Sequence, residues 1–133
     1  MTSLSCASTK SSEAVNSLSI FFIDDFENNS VGLKIGRNKI LEPTLFRKSD
    51  LPQLRNLHKA SLTVKRNIVE KFEKGILKTR TNIDDIDLNS IIELELSVDN
   101  KILNKKIELT KGPYLLISYN YGEINIRQTE FMR

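Results

Sequence analysis

A regular alternation of apolar and polar residues in the last third of the chain limits its fold more than any other feature. Residues 92–98 place Ile, Leu or Val at every second position, and residues 106–110 repeat the alternation. A period of two is typical of a strand with one buried and one solvated face. After Gly112-Pro113, residues 114–131 form two further apolar runs around an Asn-Tyr-Gly turn. The last third therefore predicts about four strands in a meander closed by short turns.

Three shorter patterns in the first part of the chain also indicate strands. Residues 18–23 are apolar and aromatic and predict a buried strand. Residues 31–37 follow an Asn-Asn-Ser turn and predict a second strand. Residues 39–47 predict a third strand, which is interrupted at Pro43. Because proline cannot donate a hydrogen bond to a neighbouring strand, this piece is expected at a sheet edge or a bend.

Between these strand regions the spacing predicts one long α-helix from about Asp50 to Lys74. Ser49 and Asp50 are suitable N-caps, and Gln53 completes a capping box. Gly75 is a natural stop for such a helix. The apolar residues recur roughly at helical spacing, and they are Leu51, Leu54, Leu57, Leu62, Ile68, Val69 and Phe72.

The predicted fold class is therefore α+β, with antiparallel sheet units of about seven strands around one long helix. Residues 1–17 are rich in Ser and Thr and predict a flexible tail. Residues 18–133 predict a single domain, because a chain of 133 residues has room for one core.

The sequence shows no pattern typical of catalysis, and the chain is predicted not to be an enzyme and to need no cofactor. Cys6 and His58 are the single residues of their types, so no intramolecular disulfide and no Cys/His metal cluster is expected. Residues 82–87 resemble a metal-binding run, but they lack the Gly and the final Glu of a calcium loop, and an acidic linker is the preferred interpretation. No apolar run has the length of a membrane span. An intracellular location, in nucleus or cytoplasm, and no membrane partner are expected.

The distribution of charge indicates a polyanion partner more strongly than the net charge of +3 does. Thirteen Lys and Arg stand against four Asp and Glu between Lys34 and Arg80, whereas residues 81–100 hold six acids and no base. A basic block in a small domain is the usual footprint of nucleic-acid binding. A solvated basic helix explains the same block equally well.

The final hairpin resembles the paired strands of the transcriptional positive cofactor four family. The residues that match that family's pattern are Gly122, Ile124, Ile126, Glu130 and Phe131, whereas Glu123 and Thr129 depart from it. Residues 21–26 and Gly36-Arg37 are similar to the first strand and the Gly-Arg-Lys segment of the same family. Two sheet units around a helix are also similar to the Whirly family.

This resemblance implies binding of single-stranded DNA or RNA on a sheet face, with a role in transcription or replication. Bases would stack on aromatic rings while phosphates meet Lys and Arg. The residues expected to bind are Lys34, Arg37, Lys39, Lys105, Lys106, Lys111, Tyr119, Tyr121 and Arg127.

A homodimer is also expected, because unpaired sheet edges or a helix flank need cover and because the resembled family dimerises. The alternative function is that of a protein-interaction or assembly protein, which docks through sheet edges and the basic helix.

Overall fold

The computed structural model describes residues 17–23, 26, 28–46, 60–73 and 75–130. Within these residues the chain forms ten strands and one short 3-10 helix, at Leu109–Lys111. The strands are β1 (Leu18–Phe22), β2 (Asn29–Ile35), β3 (Asn38–Phe46), β4 (Ala60–Val64), β5 (Ile68–Glu73), β6 (Ile76–Asn82), β7 (Ile92–Val98), β8 (Lys101–Ile107), β9 (Tyr114–Asn120) and β10 (Glu123–Thr129).

The strands form two sheets that share one core. The six-stranded sheet has the order β10-β9-β1-β4-β5-β6, and the four-stranded sheet has the order β3-β2-β7-β8. All neighbouring strands are antiparallel except β1 and β9, which are parallel, with Ser19 opposite Tyr114. The fold is therefore a β-sandwich with one parallel pair, β9 and β1, inside its larger sheet.

The core forms where the alternating residues of both sheets meet. Leu18, Ile20 and Phe22 of β1 are fully buried, as are the corresponding residues of β7 and β9. Each such strand faces the core with every second side chain, since successive side chains point to opposite sides of a sheet. The remaining side chains form two outer faces, one on each sheet.

The prediction of an α+β fold with a long helix is wrong, because the described part of this segment is strand. Residues 60–73 form β4 and β5, joined by a short turn in which the Lys65 N–H donates to the Ile68 carbonyl over 2.8 Å. The rest of the predicted helix, residues 50–59 and 74, lies outside the described residues. Ala60, Leu62 and Val64 are buried while the residues between them are half-buried. That period of two fits a strand, and the described chain is all-β.

The predicted four-stranded meander in the last third is also corrected, because its strands belong to two sheets. The hairpin β7–β8 lies in the four-stranded sheet, whereas the hairpin β9–β10 lies in the six-stranded sheet. Gly112 and Pro113 lie where the chain crosses between the sheets. The three strands predicted near residues 18–23, 31–37 and 39–47 are present as β1, β2 and β3, and β3 is an edge strand that contains Pro43.

The described residues contain no helix with the length and hydrophobicity needed to cross a bilayer. Most of the predicted tail, residues 1–16, lies outside the described residues.

Candidate interaction surfaces

Five of the nine predicted binding residues lie on the four-stranded sheet. Lys34 on β2, Lys39 on β3 and Lys106 on β8 are exposed on its outer face, because their strand neighbours on either side point to the core. Arg37 lies in the β2–β3 turn, and Lys105 lies on edge strand β8. The sequence therefore identified a group of cations that the fold does bring onto one sheet.

Carboxylates lie between these cations on the same outer face. Lys34 is opposite Lys39 on one side and Glu95 on the other, and Lys106 is opposite Glu93. We call this surface, made of Lys34, Lys39, Glu93, Glu95 and Lys106, the charged face. Opposite charges on adjacent strands stabilise a sheet by about 0.2–1 kcal/mol per pair, so part of this pattern serves sheet pairing.

The two predicted tyrosines lie away from the charged face, on the β9–β10 hairpin. Tyr119 is half-buried, and its ring stacks on Phe26 with the centroids 6.4 Å apart. The Lys101 ammonium lies 5.7 Å from the Tyr119 ring centroid, within cation–π range. Tyr119 therefore packs against the core rather than offering an open ring for base stacking.

Tyr121 is fully exposed, with a relative accessibility of 100%, and it occupies an unfavourable backbone conformation. Tyr121 and Gly122 have φ values of 53° and 75°, which define a two-residue type I′ turn between β9 and β10. Positive φ costs a non-glycine residue about 1–2 kcal/mol. An exposed aromatic ring held in such a position is a candidate contact residue.

Arg127 and Lys111 do not join the other cations. Arg127 is opposite Leu116, on the outer face of the six-stranded sheet, so it points away from the charged face across the sandwich. Lys111 pairs with Glu108, with 3.1 Å between Nζ and Oε1. The nine predicted residues therefore form no single groove.

Sequence reasoning missed an apolar patch on the outer face of the six-stranded sheet. Phe21, Tyr114, Leu116 and Phe72 lie on this face and are half-buried. The rings of Phe21 and Tyr114 lie 6.4 Å apart. The sequence does carry a signal for this patch, because Phe21 is a large apolar residue at a position of β1 where the alternation expects a polar one. This part of the outer face is thus apolar where the charged face is ionic.

Among the buried residues that the structure describes, Glu70 is the one acidic residue; it lies opposite Thr63 on the outer face of the six-stranded sheet, and two cations compensate its charge. The Arg80 guanidinium donates a hydrogen bond to the Glu70 carboxylate, with 2.6 Å between Nη2 of Arg80 and Oε2 of Glu70. The Lys65 ammonium lies 3.5 Å from Oε1 of Glu70. The hydrogen bond from Arg80, aided by the charge of Lys65, lowers the pKa of Glu70 despite some desolvation. Two of the thirteen bases in the basic block therefore have a structural role.

Asp99 fixes the β7–β8 turn against β2. Its carboxylate accepts hydrogen bonds from the Ser30 backbone N–H over 2.9 Å and from the Asn29 amide over 2.8 Å. These bonds to the charged form, the Ser30 bond first, lower the pKa of Asp99. Asp99 is thus a turn residue and takes no part in the candidate surfaces.

A cleft of about 430 Å³ lies between the β2–β3 turn and the loop that precedes β7. Arg37 lines it together with Asp84, Asp85, Asp87 and Glu93. Asn38 fixes this loop, because its side chain both donates to and accepts from the backbone of Asp84. In the described part of the chain no three His, Cys, Asp or Glu side chains are placed to bind a metal ion.

Strands β10, β6, β3 and β8 end the two sheets and form their edges. Three of them carry features that protect edges from pairing. β6 contains Lys78 and a register shift, β3 contains Pro43 and register shifts, and β8 contains three lysines. β10 contains neither proline nor lysine, and its register with β9 runs without a shift.

Comparison of the chain with protein-family models, with curated proteins and with solved structures finds no match. The resemblance of the final hairpin to the transcriptional positive cofactor four family therefore stays a prediction.

Proposed function

We propose that this protein is a protein-interaction module that binds an extended segment of another chain along the edge of β10. No described strand pairs with the outer side of β10, and this edge, which contains neither proline nor lysine, carries the proposal. An edge strand presents a row of backbone N–H and C=O groups, and an extended segment satisfies them by strand addition. Side chains at alternate positions then contribute specificity.

The direction of the β10 backbone groups supports this binding mode. In a two-residue hairpin the pair next to the turn exchanges both hydrogen bonds, and here that pair is Asn120 and Glu123. Alternation then directs the N–H and C=O groups of Ile124 and Ile126 away from β9. These N–H groups would donate hydrogen bonds to an added strand, and these C=O groups would accept hydrogen bonds from it.

Binding of a neutral heptapeptide of alternating Ile and Thr, with solubilising ends, tests the proposal. We expect slower amide hydrogen exchange at Ile124 and Ile126 when the peptide is present, because strand addition pairs both amides. Asn125→Lys places a charge at the middle of the edge and should abolish this protection. Thr110→Lys, an exposed site away from the edge, is the matched control. Equal protection in both variants would contradict the proposal.

The charged face supports a second candidate function, the binding of a polyanion such as single-stranded nucleic acid. Lys34 and Lys106 lie on this face, Arg37 lies in the β2–β3 turn, and Lys105 points to the other side of β8. None of these four cations makes an ion pair within the part of the chain that the structure describes. Cations that are free of internal partners are available to phosphates. Glu93 and Glu95 oppose this binding, so weak affinity is expected.

The test compares two double variants in binding a labelled single-stranded oligonucleotide. Lys34→Ala/Lys106→Ala should weaken binding by roughly 1–3 kcal/mol and reduce the salt slope by about one to two units. Arg127→Ala/Lys111→Ala removes the same charge on other faces and should change little. Equal losses in the two variants would indicate non-specific charge attraction and would exclude the charged face as a site.

A further inference from the structure

We propose that the occupant of the β10 edge is a second copy of this chain, in a two-fold antiparallel pairing centred on Asn125. The inference rests on the proposed strand addition and names its partner. The result is a homodimer in which two six-stranded sheets form one continuous sheet. The pairing is isologous, as the commonest soluble dimers are.

The sequence of β10 is complementary to itself in this register. The strand reads Glu-Ile-Asn-Ile-Arg from Glu123 to Arg127. A two-fold axis at Asn125 places Glu123 opposite Arg127 of the other copy, twice in the dimer. It also places Ile124 opposite Ile126 of the other copy, and Asn125 opposite itself. Opposite charges and paired apolar side chains are both favourable cross-strand neighbours.

The hydrogen-bond phase of β10 agrees with the same register. The outward backbone groups belong to Ile124 and Ile126, so these residues would exchange hydrogen bonds across the interface. Glu123 and Arg127 would then form non-hydrogen-bonded pairs, in which side chains approach more closely. Both charged residues are exposed, so they are available for pairing.

The side-chain faces also match. Ile124 and Ile126 are half-buried and pack against the core from its open end. A second copy would cover their remaining apolar surface and extend the core across the axis. Continuing the register brings Tyr121 opposite Thr129 of the other copy, which would give this exposed ring a neighbour.

Two of the other edges, β6 and β8, place like charges opposite each other in comparable registers. On β6 a two-fold axis at Thr79 places Lys78 opposite Arg80 of the other copy, and axes at Lys78 or Arg80 oppose like charges directly. Like charges at opposed positions destabilise a sheet. On β8 an axis at Leu103 opposes Lys101 and Lys105. Self-complementarity therefore distinguishes β10 from these two edges.

Charge reversal tests the register by sedimentation velocity at several concentrations. Arg127→Glu and Glu123→Arg each convert two attractive contacts into two repulsive ones, and each should weaken the dimer about tenfold or more. The double variant Glu123→Arg/Arg127→Glu restores opposite charges and should return the affinity to within about threefold of the original. If the double variant dimerises as weakly as the single variants, the proposed register is wrong.

Disulfide formation gives an independent test. Opposed residues of a non-hydrogen-bonded pair have Cα atoms about 4.5 Å apart, which a disulfide can bridge. In a Cys6→Ser background, Asn125→Cys should therefore form a covalent dimer under mild oxidation. Thr110→Cys, which is exposed but away from the edge, should not. Equal crosslinking of the two variants would argue for random collision.

The outcomes separate the inference from the proposed function. A protein that stays monomeric at about 100 μM, yet whose Ile124 and Ile126 amides are protected by the heptapeptide, overturns the homodimer and leaves strand addition in place. A monomer without such protection overturns both. A dimer that responds to charge reversal as described supports both.

Discussion

Gly112 is the residue whose backbone most clearly requires glycine. Its φ of 135° is unfavourable for other residues, and a Cβ atom there would collide with the backbone of Thr129 at the end of β10. Its carbonyl also accepts a hydrogen bond from the Gln128 amide over 2.8 Å. Gly112 therefore sets how closely the crossing between the sheets approaches the β10 edge strand.

Gly112→Ala should lower the free energy of unfolding by about 2–4 kcal/mol, because backbone strain and a collision add. Gly36→Ala is the matched control. Gly36 has a φ of 58°, but open space surrounds the position of its Cβ. That variant should cost about 1–2 kcal/mol. Urea denaturation measures the free energy of unfolding of both variants. Equal losses of stability would mean that the structure relieves the collision at Gly112 without cost.

The acid stability of the protein should depend on Glu70. Its folded pKa is lowered from the ordinary value of 4.5, so the folded state binds fewer protons than the unfolded state at acid pH. The resulting stabilisation is complete above the ordinary pKa and is lost as the pH falls through the lowered folded pKa. Stability should therefore decline below about pH 5.

Glu70→Gln should flatten this dependence between pH 6 and pH 3, because glutamine does not titrate and leaves Arg80 and Lys65 without their carboxylate. Chemical denaturation across this pH range measures the effect. Glu42→Gln, at a carboxylate whose side chain is 74% exposed, is the matched control. If the free energy of unfolding of Glu70→Gln still falls steeply with decreasing pH, other carboxylates cause the pH dependence.

At the level of the elements, the β9–β10 turn has a residue that its geometry disfavours. Type I′ turns prefer Asn-Gly, and here Tyr121 stands where Asn is preferred. Since the ring is fully exposed, Tyr121→Asn should raise the free energy of unfolding by about 0.5–1 kcal/mol.

Tyr121→Val should have the opposite effect, because a β-branched residue at positive φ is more strained than tyrosine. Thermal unfolding at low protein concentration measures the stability of both variants. A loss of stability in Tyr121→Asn would indicate that the ring packs on the fold after all.

The sequence predicted individual strands well where alternation continues over a whole element. β7 was recognised because apolar and polar residues alternate for seven positions, and the β9–β10 hairpin was recognised from two runs on either side of an Asn-Tyr-Gly turn. The helix prediction was wrong over residues 60–73, because the capping residues and leucines before them favour a helix, whereas Ala60, Leu62 and Val64 alternate for too few residues to outweigh that signal. Long-range pairing with β1 decides that these residues form a strand.

The candidate surfaces could be predicted in part. The cations of the charged face follow from exposed positions in alternating strands, which the sequence reveals. That Lys106 and Arg127 lie on opposite sides of the sandwich depends on which sheet receives each hairpin. The alternation that identifies a strand does not specify its sheet, so the sheet-level arrangement was not predictable.

On the scale of the whole molecule, the two outer faces differ in character. One sheet presents the charged face, and the other presents half-buried apolar residues such as Phe21 and Leu116. The β10 edge adjoins the apolar face. Pairing at this edge would therefore also join two apolar faces into one larger surface.

Stability should be unevenly distributed over the molecule, and hydrogen exchange should show it. β1 lies in the interior of its sheet with three fully buried side chains, whereas every residue of β6 is exposed. Amides of β6 should therefore exchange on the order of 100-fold faster than those of β1. Similar rates in the two strands would mean that the six-stranded sheet opens as one unit.

The parallel pairing of β1 with β9 has a consequence for how the chain folds during synthesis. β1 joins two parts of its sheet, because β4 pairs with one side of it and β9 with the other. The ribosome makes β9 long after β1, so the side of β1 that pairs with β9 stays open until β9 has been made. Such non-local pairing slows folding. Until the β9–β10 hairpin arrives, Leu18, Ile20 and Phe22 offer an apolar strand to chaperones or to neighbouring nascent chains.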